Sequence, residues 1–210
     1  GGTVDPYGYL LDAARRLGNA EQDGLAVEVG TSVGRGAAAL AELYAYSLGV
    51  DRSFPAVLAA RRLLLESPEP LHAYRLETER GRWEQRRSQP PPGGERLDYL
   101  AGSGAELPLT GGQAACVAAL NVLCAVADPA SLVTEFSRVL EPGGLLLVAS
   151  PYWSDAGDGD GQWAGPESLR RLLAGDFDVV AEEDMVPWLL RLARRRWNVY
   201  LSHCVVATRR

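Results

Sequence analysis

Seven short apolar runs rich in valine, leucine and alanine recur along the chain, at 25–29, 46–50, 97–101, 114–120, 145–149, 177–181 and 199–207. Runs of this length and composition suit strands buried on both faces, and such strands need crossover helices to cover them. Helix-like stretches lie between them at 35–44, 54–65, 129–140 and 167–173, with Asp128 and Pro129 supplying an N-cap and a first-turn proline. "EPGG" at 141–144 stops the third helix before "LLLVAS" begins the next strand. The alternation predicts an α/β fold with a largely parallel sheet.

Residues 67–96 break that alternation with mixed charge and a Pro-Pro-Pro-Gly-Gly run, so they read as an inserted surface segment, a solvated loop. At 210 residues the whole chain, 1–210, reads as a single domain able to bury its own core. No apolar run approaches the roughly 20 residues of a membrane helix, and no membrane partner is expected. A net charge of −6 argues against a general nucleic-acid binder, which would present a basic face. Every cationic side chain is arginine, so a lysine Schiff base is excluded. Cys116, Cys124 and Cys204 are odd in number and lack CxxC spacing, which indicates neither a disulfide framework nor a zinc site and points to reduced cytoplasm. The chain opens Gly1-Gly2 without methionine or a signal-peptide pattern, consistent with a trimmed native start.

"LAVEVGTSVGRG" at 25–36 joins the first strand to the first crossover helix. A dinucleotide turn wants G-x-G-x-x-G, where the second glycine lets the backbone approach a pyrophosphate. Here the glycines fall at Gly30, Gly34 and Gly36, a spacing suited to a ligand without a pyrophosphate. Glu28 ends the buried strand, where a carboxylate is costly unless paired. It answers an amine-bearing ligand, or it caps loop amides or pairs with an arginine. Asp51 follows the second strand about twenty residues after Gly30, where an acid can accept both hydroxyls of a ribose.

"VEVGTSVGRG", "GVDRS", "LNVL" and "LEPGGLLLVASPYW", in this order, resemble the class I S-adenosylmethionine-dependent methyltransferases over most of the chain. Within that class, "DPYGYL", "VGR", "ASPYW" and the closing "EDMVPWLLRLARRRWNVYLSHCVVATRR" are similar to the C-terminal methyltransferase domain of ovothiol synthase, a mercaptohistidine N-methyltransferase. The resemblance implies a Rossmann-like, seven-stranded, mostly parallel sheet with helices on both faces. It implies S-adenosylmethionine as cofactor, with the glycine turn at the methionine part and Asp51 at the ribose. The implied cofactor-binding residues are Glu28, Gly30, Thr31, Gly34, Asp51, Arg52, Ser103, Gly104 and Asn121. The implied activity is N-, S- or O-methylation of a small molecule, an imidazole- or thiol-bearing amino-acid derivative or another secondary metabolite.

Three family acids are absent, their places taken by Ser103, Ala115 and Cys124. They motivate an alternative, a methyltransferase-fold enzyme that does not methylate, such as a cyclase or rearrangement catalyst in natural-product biosynthesis.

Methyl transfer needs a nucleophile held about 3 Å from the methyl group with water excluded. Tyr7, Tyr9, Asn121, Tyr152 and Trp153 are the candidates for the carboxyl-end rim, and Tyr9, Tyr152 and Asn121 are the catalytic assignments. His203, inside the last strand, and His72, in the inserted segment, read as structural. Trp188 and Trp197 read as core or interface aromatics. "RLARRRW" at 191–197 reads as a solvated helix end, and "DAGDGDGQW" at 155–163 as a substrate-side loop lacking the last ligand of a calcium loop. No metal site is expected, and a homodimer is left open as the assembly.

Overall fold

The computed structural model describes residues 5–18, 23–65, 72–77, 83–87, 94–152, 165–193 and 195–210, with 72–77, 83–87 and 191–193 as backbone alone. The strands are β1 Leu25–Val29, β2 Tyr46–Asp51, β3 His72–Glu77, β4 Trp83–Arg87, β5 Leu97–Ala101, β6 Ala114–Leu120, β7 Leu140–Ser150, β8 Phe177–Ala193 and β9 Arg196–Arg209. The helices are α1 Pro6–Leu17, α2 Arg35–Leu40, α3 Phe54–Leu64, α4 Pro129–Val139 and α5 Pro166–Leu173.

All seven strands expected from the apolar runs form, in the spatial order β8-β9-β7-β6-β1-β2-β5. They run parallel except β9, which is antiparallel to both neighbours. Chain order runs outward from β1 through β2 to β5, then returns to β6 on the other side of β1. Such a reversal opens a crevice at the carboxyl ends of β1 and β6.

The strands bury both faces by alternation. Val27, Val117, Ala119, Leu146, Val148 and Val205 point toward Leu132 and Phe136 of α4 and Leu169 of α5. Ala26, Cys116, Ala118, Leu145, Leu147 and Val206 point the other way, toward Leu10 and Ala14 of α1 and Leu40 of α2. α1 starts where a local signal says it should: Asp5 accepts from the Gly8 amide at 2.7 Å, with Pro6 in the first turn.

Three expectations need correction. Within 67–96, β3 and β4 pair as an antiparallel hairpin that extends the sheet, with Glu77 opposite Ala193 of β8. Period-two alternation in "HAYRLE" was masked by the surrounding charge and proline. Of the arginine-rich 191–197 stretch, the described strand residues belong to the long β8–β9 ribbon and not to a helix, Arg191 standing opposite Trp197 and Ala193 opposite Arg196. α2 ends at Leu40, short of the expected 44, and the chain turns from there into β2. Among the described residues no helix is long and apolar enough to cross a membrane.

Candidate active site

The glycine turn is seated on the end of β2: the Gly30 and Thr31 amides both donate to the Val50 carbonyl, at 2.8 and 3.1 Å. Gly30 and Gly34 adopt φ of 76° and 91°, which side chains other than glycine resist. Ser32, at φ 49°, holds the same left-handed region without that freedom, and its amide donates to Asp51 Oδ2 at 2.8 Å. The glycine spacing, read above as fitted to a ligand, answers first to the protein's own packing. A Cβ on Gly34 would stand 2.5 Å from Tyr99 Oη, and one on Gly36 1.9 Å from Glu28 Oε1. The Tyr99 hydroxyl donates to the Gly34 carbonyl at 2.8 Å, so it anchors the turn from below.

Glu28 is fully buried. Its Oε2 accepts from Thr31 Oγ1 at 2.5 Å and from the Ala37 amide at 2.7 Å, and Oε1 accepts from the Tyr7 hydroxyl at 3.3 Å. Arg35 lies over the Tyr7 ring and pairs with Asp5 at 2.9 Å, closing α1 over this carboxylate. Burial raises the Glu28 carboxyl to about 7 against the hydrogen bonds that pull it down. Of the readings open to Glu28, these contacts match the capping one: it braces the turn and α1 from inside.

Asp51 is half-buried at the end of β2, its Oδ1 accepting from the Ser53 amide and Oδ2 from the Ser32 amide, each at 2.8 Å. A carboxylate has about four acceptor positions, so two amides leave capacity for a vicinal diol. Arg52 follows it, exposed. The Gly102 amide donates to the Asp51 carbonyl at 2.9 Å and draws the post-β5 loop alongside. There Ser103 is exposed, its Oγ accepting from the Ala105 amide at 3.2 Å, while Gly104 is pressed onto Val29, where a Cβ would approach Cγ1 to 2.3 Å. Sequence reasoning missed the brace behind this loop: buried Glu135 accepts from the Leu107 amide at 2.6 Å and pairs with Arg138.

Across the crevice, Asn121 follows β6 at φ 59°, its amide donating to the Ala149 carbonyl at 2.8 Å. Its side-chain oxygen is buried and has no hydrogen-bond partner among the described residues. An unmatched buried amide oxygen costs about 1–3 kcal/mol until a donor meets it. The orphaned acceptor on one side and the Asp51 carboxylate on the other fit a nucleoside bearing an amino acid.

Next to it, after β7, the chain turns at Tyr152, φ 54°. The Tyr152 hydroxyl meets His203 Nδ1 at 2.5 Å, and His203 Nε2 meets Glu182 Oε1 at 2.6 Å. Arg170 of α5 pairs with the same carboxylate at 2.5 Å. His203 is therefore engaged at both ring nitrogens, beyond the structural strand position that the sequence suggested. Burial, then the nearby Asp184 and Glu182 carboxylates, hold the Tyr152 phenol well above its ordinary range. Tyr9 of α1 packs against the cluster holding Cys204, and burial, then the Glu183 carboxylate, raises its phenol, so α1 reaches this side too. The Cys116 and Cys204 thiols are pushed up to about 12, chiefly by burial, and stay protonated. Trp153 and the 155–163 stretch lie outside the described residues.

Residues 27–148 match the methyltransferase domain family, more than half of the chain. The chain belongs to that methyltransferase family. Its fold is that of an S-adenosylmethionine-dependent methyltransferase, and S-adenosylmethionine is its cofactor. Magnesium protoporphyrin IX methyltransferase (ChlM) from Synechocystis, solved with bound SAM, superposes with a TM-score of 0.63 at 15% identity, over 96% of this chain and 79% of that one. The 4+2 cyclase SpnF superposes with a TM-score of 0.57 at 21% identity, over 84% of this chain and 60% of that one. These likenesses concern the fold. Over 47 residues, 22% of the chain, it is 47% identical to an uncharacterized 37.1 kDa protein in transposon Tn4556 of Streptomyces fradiae, and the match spans 14% of that protein. The methyltransferase family match holds the glycine turn, Asp51 and Asn121, whereas Tyr152, Glu182 and His203 lie beyond it.

Proposed function

We propose that this methyltransferase transfers the methyl group of S-adenosylmethionine to a small-molecule nucleophile, either an imidazole- or thiol-bearing amino-acid derivative or another secondary metabolite. The observation that carries it is the crevice at the β1/β6 reversal, bounded by Asp51 and by the orphaned Asn121 oxygen. The turn at Gly30, Thr31 and Gly34 receives the amino-acid end, Asp51 and Arg52 the ribose, and Ser103 and Gly104 the adenine. Asn121 receives a donor near the reacting centre, with Tyr9 and Tyr152 lining the acceptor side. The bound cofactor supplies an electrophilic methyl group on a cationic sulfur; the chain's own task is to align the nucleophile and exclude water. A net charge of −6 and three free cysteines favour a small molecule over nucleic acid and a reducing, cytoplasmic setting.

The test is calorimetric titration of S-adenosylmethionine and its demethylated product, followed by mass analysis of mercaptohistidine incubated with the enzyme. Binding and the gain of one methyl are expected. Failure of both ligands to bind would sink the proposal, and conversion without mass gain would favour the non-methylating reading motivated by Ser103, Ala115 and Cys124.

A further inference from the structure

Tyr152, His203 and Glu182 come from the turn after β7, from β9 and from β8, three separate stretches that meet at the substrate side of the crevice. The direction of their hydrogen bonds follows from the carboxylate. Burial works to raise the Glu182 carboxyl, but the hydrogen bonds from Arg170 and His203 outweigh it and hold it below the ordinary range. An ionised carboxylate only accepts, so His203 carries a proton on Nε2; in the neutral ring that this leaves open, Nδ1 is the acceptor. With the ring in that form, the Tyr152 hydroxyl donates to Nδ1. A phenol that donates its own proton keeps acceptor capacity on the same oxygen.

We infer that these three residues form a proton relay for the methyl acceptor: Tyr152 touches the acceptor, and His203 and Glu182 are positioning residues behind it. The relay rests on the methyltransferase reading above. In the step, an acceptor that arrives protonated forms its bond to the methyl carbon while the carbon–sulfur bond breaks and its electron pair passes to sulfur. The acceptor's proton moves to the Tyr152 oxygen as the Tyr152 proton moves to His203 Nδ1. The positive charge that leaves sulfur thus reappears on an imidazolium that the Glu182 carboxylate faces directly. Tyr152 ends neutral, as its burial requires. The substrate class that needs such a relay is a weakly acidic N–H or S–H, since an amine already free of its proton needs no base.

The groups around the relay are Glu182, Glu183 and Asp184 on β8, Arg170 on α5, Tyr9 on α1, Cys124 after β6 and Cys204 on β9. The adjacent carboxylates favour the imidazolium that the step creates, and Arg170 opposes it while fixing Glu182.

The experiment uses the full chain labelled with nitrogen-15. Long-range imidazole correlations are expected to show His203 protonated at Nε2 alone at neutral pH, with Nδ1 in the hydrogen-bonded acceptor range. In Tyr152→Phe, Nδ1 should move toward the free lone-pair value while S-adenosylmethionine affinity stays within ~2-fold and kcat for mercaptohistidine falls ~100-fold. Glu182→Gln should shift the acidic limb of the kcat–pH profile to lower pH, a displacement that a merely structural role would not cause. A His203 protonated at Nδ1, or a Tyr152→Phe enzyme of undiminished kcat, would overturn the relay with the methyltransferase reading intact. Loss of the reading itself would appear separately, as wild-type protein that binds no S-adenosylmethionine.

Discussion

At the carboxyl ends of β1 and β2, Glu28 and Asp51 receive backbone amides from Ala37, Ser32 and Ser53 at 2.7–2.8 Å. Across the sheet, midway along β8 and β9, Glu182 receives an imidazole and a guanidinium instead. Both regions place carboxylates against donors, yet the donors differ in kind. A backbone amide does not titrate, so the first region fixes a shape. The second draws its donors from side chains of β9 and α5, so it ties three separate elements to one carboxylate. In the function proposed above, the first half holds the cofactor and the second acts on the acceptor.

The sharpest way to break this contrast is at Gly36, where Glu28 Oε1 fills the space of a side chain. Gly36→Val should cost at least ~3 kcal/mol in chemical denaturation, because neither the buried carboxylate nor α2 can move aside. An unchanged midpoint would mean that the turn is not braced from below.

Glu28 gives a second test through pH. Its carboxyl titrates at about 7 in the folded protein against an ordinary 4.5, so the native state holds the proton more tightly than the unfolded chain. Stability from this group is fully present below the ordinary value and declines as pH rises through about 7, by on the order of 3 kcal/mol. Glu28→Gln should flatten that decline in denaturation curves recorded across the window; an unaltered slope would assign it to other groups.

Asp51→Ala should weaken S-adenosylmethionine binding at least ~10-fold, or ~1.4 kcal/mol by calorimetry, with the loss of a diol contact. Tyr99→Phe, which removes the hydroxyl beneath Gly34, is expected to cost ~1 kcal/mol of stability, visible as a lowered melting temperature. The smallest change expected is in the other half: Glu182→Gln should leave cofactor affinity within ~2-fold, whereas a large loss would merge the two regions into one site.

Much of the scaffold was readable from local signals. β1, β5 and β6 begin and end where the apolar runs do, and α4 starts at the Asp128–Pro129 cap, Asp128 accepting from the Ala130 and Ser131 amides. The hairpin within 67–96 escaped notice because its alternation is short and set among charges and prolines that suit a loop equally well. Asp51 and Asn121 could be placed at strand ends from the runs alone. Glu28 was ambiguous for a physical reason: a buried carboxylate demands partners, and nothing local says whether a ligand, an arginine or its own helix provides them. His203 looked like an ordinary strand residue, since a strand pattern shows alternation without showing what lies across it.

The sequence by itself determined the order of the seven apolar strands and of α2 to α5, the carboxyl-end location of the glycine turn and Asp51, and the family, because periodicity, caps and motif spacing act over a few residues at a time. Tertiary structure alone decided that Tyr7 closes over Glu28 and that His203 stands between Tyr152 and Glu182. Those His203 partners lie 51 and 21 residues away and meet only through the register of β7 and β8 against β9. A shift of one residue in that register would turn His203 to the other face of the sheet.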